Sequence, residues 1–410
     1  MTPLDKGIGS LEAGAAPEAL ARPWRLLAEE VSLPAAVLSQ ERLDHNLRWM
    51  QAFADAYGVM LAPHGKTSMA PGLFRRQIRA GAWGITVATA QQAAVAFHHG
   101  VRRVLMANLL VGRRNLEIVA ESLAGGASEF FCLVDSGEAV AHLGRFFRER
   151  RLSIDVLLEL GPAGGRTGAR DAGQEASTLG ALEDWGDAVR LAGVEVYEGV
   201  LDAEDDIRLL LRRAVATART LSSGGRIRRA RPILSGAGSA WYDVVAEEFA
   251  GARESLDVVL RPGCYVTHDV GAYRAAQTRI ERASSVARRM GEGLQPALQL
   301  WGYVLSIPEP GRAIVGMGKR DVAFDAGFPE PALRFRPGRD GTPREAPAGW
   351  KITKMMDQHT YLHIAAEDDV QVGDMLAFDI SHPCLTFDKW RQLLVVDRDY
   401  RVVEVLATFF

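Results

Sequence analysis

Short apolar runs alternate with longer amphipathic stretches over much of the chain, from about residue 35 to about residue 290. The runs have the length and the β-branched or leucine-rich composition of buried strands, and the stretches between them have the apolar spacing of helices. The strands that this pattern predicts are Val59–Ala62, Ile85–Ala88, Val104–Ala107, Phe130–Val134, Asp155–Leu160, Val194–Val200, Pro232–Ser235 and Val258–Arg261. The predicted helices include Ala70–Ala80, Gln91–His98, Glu138–Arg150, Ala176–Leu191, Asp205–Leu221 and Ala240–Phe249.

Strands that alternate with helices pair in parallel, and eight such units over about 250 residues match a closed (β/α)8 barrel. A doubly wound open sheet is the alternative, but it commonly has fewer strands and a glycine-rich turn after the first one. Here the first strand ends in Pro63-His64-Gly65-Lys66-Thr67, which is not such a turn. We therefore predict an α/β architecture with a TIM-like barrel over residues 35–290.

After about residue 290 the pattern changes to strands with short loops and no helices between them. The predicted strands are Leu298–Ile307, Arg312–Val315, Tyr361–Ile364, Met375–Ile380, Gln392–Val396 and Val402–Ala407. This arrangement is typical of an antiparallel β domain. We assign residues 291–410 and 1–34 to that domain, and we expect an exposed loop at 329–349, which is rich in Pro, Gly and Arg.

The composition fits a globular, enzyme-sized protein, since 48% of the 410 residues are apolar and 24% are charged. The formal net charge of −3 argues against a protein that binds nucleic acid or an anionic membrane. Three cysteines do not make a disulfide framework, and no apolar run is long enough to cross a bilayer. Because no secretory signal is recognised either, we expect a cytoplasmic protein that acts on a small molecule.

In a barrel of this kind the catalytic groups lie at the carboxyl ends of the strands. Lys66 follows the first strand, where the barrel walls could desolvate its amine and lower its pKa into the range of a Schiff-base lysine. A surface lysine in a loop is the alternative. Ser235-Gly236-Ala237-Gly238-Ser239 follows the seventh strand and opens a helix, so it suits an anion such as phosphate, although such turns are also purely structural.

His382 and Cys384 stand two positions apart in Asp379-Ile380-Ser381-His382-Pro383-Cys384. On a strand this spacing places both side chains on one face, where an imidazole and a thiolate could chelate Zn2+. Two protein ligands leave positions open for water and substrate, as a catalytic metal requires. A buried cysteine beside a core histidine is the competing interpretation, and Cys132 and Cys264 show no comparable pattern.

The order and spacing of these motifs resemble the D-serine dehydratase and D-threonine aldolase family of alanine-racemase-like, fold type III pyridoxal-phosphate enzymes. The resemblance extends from Pro34 to the C-terminus. Besides the runs already quoted, it depends on Gly165-Arg166-Thr167-Gly168, Tyr197-Glu198-Gly199 and Arg261-Pro262-Gly263-Cys264-Tyr265. It implies the same barrel and β domain that the hydrophobic pattern predicts.

The resemblance also implies a role for each motif. The cofactor-binding residues would be Lys66, His64, Arg166, Tyr197, Gly236, Gly238, Ser239 and Tyr265. Lys66 would hold the cofactor aldehyde, the arginine and Tyr197 would lie near the ring, and the last four would surround the phosphate. His382 and Cys384 would bind Zn2+ or another divalent metal, and the protein would be a homodimer like its relatives.

The implied reaction is elimination of the β-hydroxyl of D-serine, or of a related D-β-hydroxy amino acid, to give a 2-oxo acid and ammonia. Lys66 would remove the α-proton, and the metal on His382 and Cys384 would make the hydroxyl a better leaving group. Aldol cleavage is less favoured because Val200 stands where the aldolase branch usually has a histidine. Cys384 also resembles the dehydratase ligand more than an oxygen ligand.

Three alternatives stay open at this point. The first is a D-threonine aldolase-like C–C lyase. The substrate is open as well, because the fifth strand exits into Leu160-Gly161-Pro162-Ala163 instead of the family's acidic opening, and it could be D-threonine or a 3-hydroxyaspartate. The second is a non-catalytic pyridoxal-phosphate-binding protein, although such proteins lack the C-terminal domain. The third is a metal-free racemase with Tyr303 or Tyr361 as second base. The role of His359, at the substrate carboxylate or in the structure, is also open.

Overall fold

The structure is a computed structural model that describes residues 6–7, 24–126 and 128–410. Residues 1–5 and 8–23 of the predicted β domain lie outside the described residues. The strands are β1 (Ala35–Ser39), β2 (Met60–Leu61), β3 (Ile85–Val87), β4 (Arg103–Leu109), β5 (Glu129–Val134), β6 (Ile154–Leu160), β7 (Val189–Val196), β8 (Ile233–Gly236), β9 (Asp257–Leu260), β10 (Leu298–Glu309), β11 (Arg312–Val315), β12 (Glu330–Phe335), β13 (Arg344–Glu345), β14 (Lys351–Met355), β15 (Thr360–His363), β16 (Met375–Asp379), β17 (Gln392–Val396) and β18 (Val402–Ala407).

The α-helices are α1 (Gln40–Tyr57), α2 (Pro71–Arg79), α3 (Ala90–His98), α4 (Arg113–Leu123), α5 (Gly137–Glu149), α6 (Ala172–Asp184), α7 (Glu204–Ser223), α8 (Tyr242–Ala250), α9 (Ala272–Ala283), α10 (Ser285–Met290) and α11 (Cys384–Phe387). Short 3-10 turns follow several of the strands. In the part of the chain that the structure describes, no helix has both the length and the apolarity of a membrane span.

Strands β2 to β9 form one parallel sheet in the order β2-β9-β8-β7-β6-β5-β4-β3. The two ends of this order meet, because the N–H of Trp83 donates to the carbonyl of Leu61 at 2.7 Å and the N–H of Thr86 donates to the carbonyl of Pro63 at 2.9 Å. The sheet is thereby closed, and helices separate its successive strands. The predicted (β/α)8 barrel is confirmed, and each predicted strand has a counterpart.

Apolar side chains fill the interior of the barrel and also cover its outside. The inner cluster consists of Ala62, Leu105, Phe131, Leu133, Leu157, Ala192, Ile233 and Val259. The outward-facing residues of the same strands pack against the helices in the largest core cluster. Strands that are covered on both faces have nearly continuous apolar sequences, which is why the pattern could predict them.

The sixth barrel strand starts earlier than the pattern indicates. We predicted a helix as far as Leu191, but α6 ends at Asp184 and β7 already begins at Val189. Trp185 accounts for this difference, since its ring packs against Gly144 so closely that no Cβ would fit there. Arg148 also stacks on the ring, 4.0 Å from its centroid. These contacts with α5 hold Trp185 at the end of the helix, and the chain turns there into the strand.

The other strands form the mostly antiparallel domain. Seven of them have the order β13-β12-β16-β10-β1-β17-β18, and β11, β15 and β14 continue from β10. β1 pairs antiparallel with β10 and parallel with β17, so it belongs to this sheet, although the prediction begins the barrel at residue 35. The first four residues of β1 are buried, and a strand buried in this way needs partners on both edges. The barrel therefore starts after Ser39, with α1.

The segment 329–349 is not the exposed loop that its composition indicates. It contains β12, which pairs with β16, and β13, which pairs with β12. Pro331 is tolerated because the pairing with β16 changes register between Pro331 and Leu333, and a proline at such an irregularity need not donate to the ladder. The composition of the segment did not reveal its pairing partner, which comes much later in the chain.

Candidate active site

A cavity of about 300 Å³ lies at the carboxyl ends of the barrel strands, and part of its wall comes from the antiparallel domain. The wall consists of His64, Lys66, Thr67, Ala107, Arg166, Tyr197, Ala237, Gly238, Ser239, Arg261, Gly263, Cys264, Tyr273, His382 and Cys384. The structure therefore brings together all the predicted site residues except Gly236 and Tyr265.

Lys66 lies in a 3-10 turn, Gly65–Thr67, just after β2. Glycine is required before it, because a Cβ on Gly65 would come within 2.8 Å of Phe74 and 2.9 Å of Ile85. The two neighbours of Lys66 in the turn are buried, whereas the lysine is exposed and lines the cavity. The local packing thus presents the amine of Lys66 at the mouth of the barrel.

His64 precedes this turn and lines the same cavity. Burial, together with the positive charges of Lys66 and Arg261, holds the pKa of its imidazole well below the ordinary value. The ring is therefore neutral near pH 7. Its Nδ1 atom is buried and has no hydrogen-bond partner among the described residues. Buried polar atoms are normally hydrogen-bonded, so a group bound in the cavity could be the partner of His64 Nδ1.

The predicted phosphate-binding turn is organised from behind by a buried carboxylate. Glu198, just after β7, accepts hydrogen bonds from the N–H of Ala237 at 3.1 Å and from the N–H of Gly238 at 2.6 Å. Ala237 has a φ of +76°, a left-handed conformation that is uncommon for a residue with a Cβ. Burial raises the pKa of Glu198, and the two hydrogen bonds oppose that effect. The Glu198 carboxylate therefore already accepts hydrogen bonds from two backbone N–H groups of the turn that the sequence predicts to bind an anion.

Donors for an anion are available on the other side of the turn. The N–H groups of Gly263 and Cys264 both point to the hydroxyl of Ser239, at 3.3 and 3.2 Å. A Cβ on Gly263 would lie within 2.6 Å of the Thr67 hydroxyl, so only glycine fits there. Gly236, in contrast, is buried next to α8, where a Cβ would meet two side chains at 3.1 Å. Ser239 and the residues that follow β9, Gly263 and Cys264, are therefore the ones that line the cavity here.

Tyr265 does not reach the cavity, so the prediction that it surrounds the phosphate is wrong for its side chain. The phenol is buried in the core, and its hydroxyl accepts a hydrogen bond from Gln77 Nε2 at 3.4 Å. The reason is the 3-10 turn Cys264–Val266, in which successive side chains point in directions about 120° apart. As a result Cys264 faces the cavity and Tyr265 faces α2.

Arg166 and Tyr197 lie together on one side of the cavity. The guanidinium of Arg166 stacks on the Tyr197 ring, with its central carbon 4.3 Å from the ring centroid, which is a cation–π contact. Burial, and then the nearby Glu198, raise the pKa of the Tyr197 phenol. The two residues predicted to lie near the cofactor ring therefore form one stacked unit.

An ionic layer that the sequence analysis did not identify lies at the strand ends. Arg261 is only 3% exposed, pairs with the buried Glu195 and donates to Ser235 Oγ at 2.9 Å. Glu159 stands opposite Glu195 in the paired strands β6 and β7. Burial, and then the charge of Glu195, raise the pKa of Glu159 to about 7. The sequence feature that could have indicated this layer is the glutamate near the end of each of two mostly apolar strands, since a buried charge needs a partner.

His382 and Cys384 line the cavity, but they do not lie on a strand as predicted. β16 ends at Asp379, and Cys384 is the first residue of α11. Pro383, with a φ of −60°, lacks the N–H that a continued strand would need. The two side chains nevertheless line the same cavity, and each affects the protonation of the other.

The electrostatics of this pair favour a thiolate next to an imidazolium. Hydrogen bonds from Cys264 and His382 lower the pKa of Cys384 to about 4, although burial opposes them. The contact with Cys384, and then the one with Asp325, raise the pKa of His382 to about 9. His382 Nδ1 lies 2.7 Å from Asp325 Oδ2, and a carboxylate behind an imidazole orients it for a metal.

Cys264 brings a second sulfur to this wall. Its Sγ atom lies 3.8 Å from the Sγ of Cys384, and the Thr67 hydroxyl lies 3.9 Å from the first sulfur and 3.6 Å from the second. Sequence spacing could not identify this contact, because the two cysteines are 120 positions apart. The sequence feature that could have indicated Cys264 is its position just after a barrel strand, β9, where catalytic groups are expected.

Three residues considered from the sequence lie outside the cavity wall of this chain. His359 is exposed, in the turn between β14 and β15. The Tyr303 hydroxyl donates to Glu29 at 3.0 Å, and the Tyr361 hydroxyl donates to the Met356 sulfur at 3.7 Å. The structure does not bring any of the three to Lys66.

The residues of the wall fit pyridoxal phosphate. His64 Nδ1 is a buried polar atom without a hydrogen-bond partner among the described residues, and the amine of Lys66 is a nucleophile in the same cavity. At position 263 only glycine fits, because a Cβ there would clash with its neighbours. For a metal, the donor chemistry of His382 and Cys384 suits a soft divalent ion. Within residues 6–7, 24–126 and 128–410, no three His, Cys, Asp or Glu side chains already surround one point as ligands.

Comparison with known proteins agrees with this architecture. Residues 297–396, which include both His382 and Cys384, match the family described as "Putative serine dehydratase domain". The chain is 28% identical to a D-threonine aldolase of Arthrobacter sp over 320 residues, which are 74% of this chain and 77% of that protein. It is 31% identical to the D-threo-3-hydroxyaspartate dehydratase of Delftia sp. (strain HT23) over 246 residues, 58% of this chain and 61% of the enzyme.

Solved structures extend the likeness to almost the whole chain. D-threonine aldolase from Filomicrobium marinum has a TM-score of 0.77 at 24% identity, and the match covers 96% of this chain and 98% of that one. The Delftia dehydratase has a TM-score of 0.72 at 25% identity, with 94% and 99% covered. Its solved mutants include a cysteine-to-alanine form that is metal-free and an alanine replacement of the histidine two positions before that cysteine.

An alanine-racemase-like protein from Idiomarina loihiensis, at 16% identity, has a TM-score of 0.70 over 92% of this chain and 96% of its own, which shows a shared fold. The relatives named above are a D-threonine aldolase and a D-threo-3-hydroxyaspartate dehydratase, two lyases of D-amino acids. Fold and relatives together confirm the resemblance of this chain to the D-serine dehydratase and D-threonine aldolase family of alanine-racemase-like, fold type III pyridoxal-phosphate enzymes.

Proposed function

We propose that this protein is a pyridoxal-phosphate- and metal-dependent dehydratase that acts on D-serine or a related D-β-hydroxy amino acid. The observation that carries the proposal is that the His382 imidazole and the Cys384 thiol line one cavity together with Lys66, with Asp325 2.7 Å from His382 Nδ1. A histidine and a cysteine with the same spacing were mutated in the solved Delftia dehydratase, and the cysteine mutant was solved in the metal-free form. This parallel supports a metal on His382 and Cys384.

In this proposal the barrel wall holds the cofactor. Lys66 would hold its aldehyde, Ser239 and the N–H groups of Gly263 and Cys264 would bind its phosphate, and Arg166 on Tyr197 would lie near its ring. Pyridoxal phosphate, when bound, supplies an electron sink that acidifies the α-C–H of the substrate. A metal on His382 and Cys384, zinc being favoured by the thiolate, supplies Lewis acidity at the β-hydroxyl.

The chain's own residues then move the protons. Lys66, once its amine is free, would accept the α-proton at Nζ and could pass that proton to the departing hydroxyl. The C–O bond to the β-carbon breaks, and the hydroxyl leaves with a proton as water. A water molecule added later releases ammonia, so the net products are the 2-oxo acid and ammonia. His64 takes no proton in this scheme, because its low pKa keeps it neutral.

Aldol cleavage is the second candidate, and the likeness to the two D-threonine aldolases supports it. That reaction needs a base for the proton of the β-hydroxyl. Val200, which is 38% exposed, stands at the position where the aldolase branch usually has a histidine, and its side chain cannot accept a proton. We therefore favour elimination.

The test is to incubate the purified protein with D-serine, D-threo-3-hydroxyaspartate and D-threonine, and to measure 2-oxo acid and aldehyde separately. We expect 2-oxo acid, which EDTA abolishes and added Zn2+ restores. Aldehyde and glycine from D-threonine without any 2-oxo acid would establish the second candidate. A protein with bound cofactor and no turnover of the three substrates would instead be a binding protein.

Two cysteine variants provide the control for this test. Cys384→Ala should lose 2-oxo acid formation and keep the visible absorbance of the cofactor, because Lys66 is unchanged. Cys132→Ser changes a buried thiol of β5 that does not line the cavity, and it should keep the activity. We also propose, from the resemblance, a cytoplasmic homodimer, which sedimentation and cell fractionation would test.

A further inference from the structure

Cys264 is the one cysteine besides Cys384 that lines the cavity, in the part of the chain that the structure describes. It is 4% exposed and follows β9 at the exit of the barrel. Its backbone N–H points to Ser239, on the side proposed for the phosphate, while its sulfur points to Cys384. The reaction proposed above gives this side chain no role.

The separation of the two sulfurs matches a specific ligand geometry. Zinc–thiolate bonds are about 2.3 Å long, and two such bonds at a tetrahedral angle place their sulfurs about 3.8 Å apart. The Sγ atoms of Cys264 and Cys384 are 3.8 Å apart. Both could therefore bind one zinc ion without moving relative to each other.

The surroundings of the two sulfurs also suit a metal. The Thr67 hydroxyl, 3.6 Å from one sulfur and 3.9 Å from the other, can donate to a thiolate. The His382 imidazole lines the same cavity as both cysteines, and Asp325 Oδ2 lies 2.7 Å from its Nδ1. Two cysteines and a histidine are one of the sets of three protein ligands that catalytic zinc uses, with the fourth position left for substrate.

We propose that Cys264 is a third protein ligand of the metal that His382 and Cys384 hold, an inference that rests on the proposed function. Because the three side chains do not yet surround one point, binding by all three requires a side-chain rotation of His382 or of the cysteine pair. The second thiolate makes the site softer, so it selects zinc over magnesium or manganese. Three protein ligands would leave one coordination position of a zinc ion for the β-hydroxyl of the substrate.

The test is X-ray absorption at the zinc edge of the zinc-loaded holoenzyme, which counts the sulfur atoms around the metal. We expect two sulfurs at about 2.3 Å in the unchanged protein and one in Cys264→Ser. Cys264→Ala serves as a second variant, since a serine oxygen could itself bind the metal. Cys132→Ser is the matched control and should keep two sulfurs. Zinc affinity, measured by competition with a chelator, should fall at least tenfold in Cys264→Ala.

The possible results separate this inference from the proposed function. One sulfur in both the unchanged protein and Cys264→Ser, lost in Cys384→Ala, would overturn the role of Cys264 and leave the proposed pair intact. In that case Cys264 would only pack against Cys384 and would not bind the metal. Zinc that does not bind the unchanged protein at all would overturn both proposals.

Discussion

The two walls of the cavity are held in different ways. On the barrel wall, the buried Glu198 accepts two backbone N–H groups, and Arg261 is paired with Glu195. The domain wall consists of His382, in the turn after β16, and Cys384, the first residue of α11, and its contacts are with Asp325 and with residues of the barrel.

The two walls therefore have different roles. Glu198 and Arg261 are held by neighbouring strand ends, so the barrel wall fixes positions, and it presents one exposed amine, Lys66, for chemistry. The domain wall combines side chains from distant segments, so its geometry depends on how the antiparallel domain packs on the barrel. Substitutions on the two walls should therefore have different consequences.

The largest effect is expected for Lys66→Ala on the barrel wall. It removes both the amine proposed to hold the cofactor and the proposed base, so 2-oxo acid formation should fall by about 10²–10⁴-fold or more. The visible absorbance of the lysine-bound cofactor should also disappear. Lys351→Ala, which changes an exposed lysine of β14, is the control and should retain both. An absorbance band of full intensity in Lys66→Ala would refute the role of this lysine.

A smaller effect, confined to the domain wall, is expected for Asp325→Asn. The carboxylate that orients His382 is lost, so zinc affinity should fall by about 10–100-fold. The absorbance of the cofactor should not change, because no contact of Lys66 is altered. Competition with a chelator measures the affinity, and Asp357→Asn, at an exposed position of the same domain, is the control. A loss of cofactor together with zinc would show that the two walls are not independent.

Glu198→Gln tests the positioning part of the barrel wall. An amide has only one oxygen, so the N–H of Ala237 or of Gly238 would lose its acceptor and face an NH2 group. A buried unsatisfied donor costs about 1–3 kcal/mol, which urea unfolding would measure. The exposed Glu254→Gln should change stability by less than about 0.5 kcal/mol. Equal effects of the two substitutions would contradict the role given to Glu198.

The last effect, of a size similar to that of Glu198→Gln, concerns pH and Glu159. Its pKa is about 7 in the folded protein against an ordinary value of 4.5, so the folded protein binds more protons between these pH values than the unfolded chain. The contribution of this carboxyl to stability therefore declines as the pH rises from about 4.5 to 7. Glu159→Gln should remove the decline, which is about 2–3 kcal/mol between pH 5 and pH 8, while its oxygen still accepts from Thr167. Identical pH profiles of unfolding in the two proteins would refute this assignment.

Most of the fold could be predicted from the sequence. The eight barrel strands are buried on both faces, so their apolar runs are recognisable without knowledge of the partners. Strand β1 and the segment 329–349 were misassigned for the opposite reason. The position of these two segments in the fold depends on pairing with β10, β17 and β16, which are remote in the sequence. A local sequence pattern does not contain that information.

The site divides in a similar way. Lys66, Ser239 and the His382–Cys384 pair were accessible as motifs, because each follows a strand exit or has a ligand spacing. Tyr265 was placed wrongly because the direction of a side chain in a 3-10 turn depends on the turn itself. Cys264 was overlooked because its sulfur partner is supplied by another domain.

The sequence by itself therefore determined the order of strands and helices, the resemblance to a family of pyridoxal-phosphate enzymes and the positions at which reactive side chains leave the barrel. These features depend on neighbours in the chain, namely hydrophobic periodicity and short motifs. Only the tertiary structure decided that Glu198 occupies the N–H groups of the predicted phosphate turn and that two sulfurs lie 3.8 Å apart. Those contacts arise when the chain folds back on itself, because hydrogen bonds and metal-ligand geometry depend on distances of a few ångströms between residues far apart in sequence.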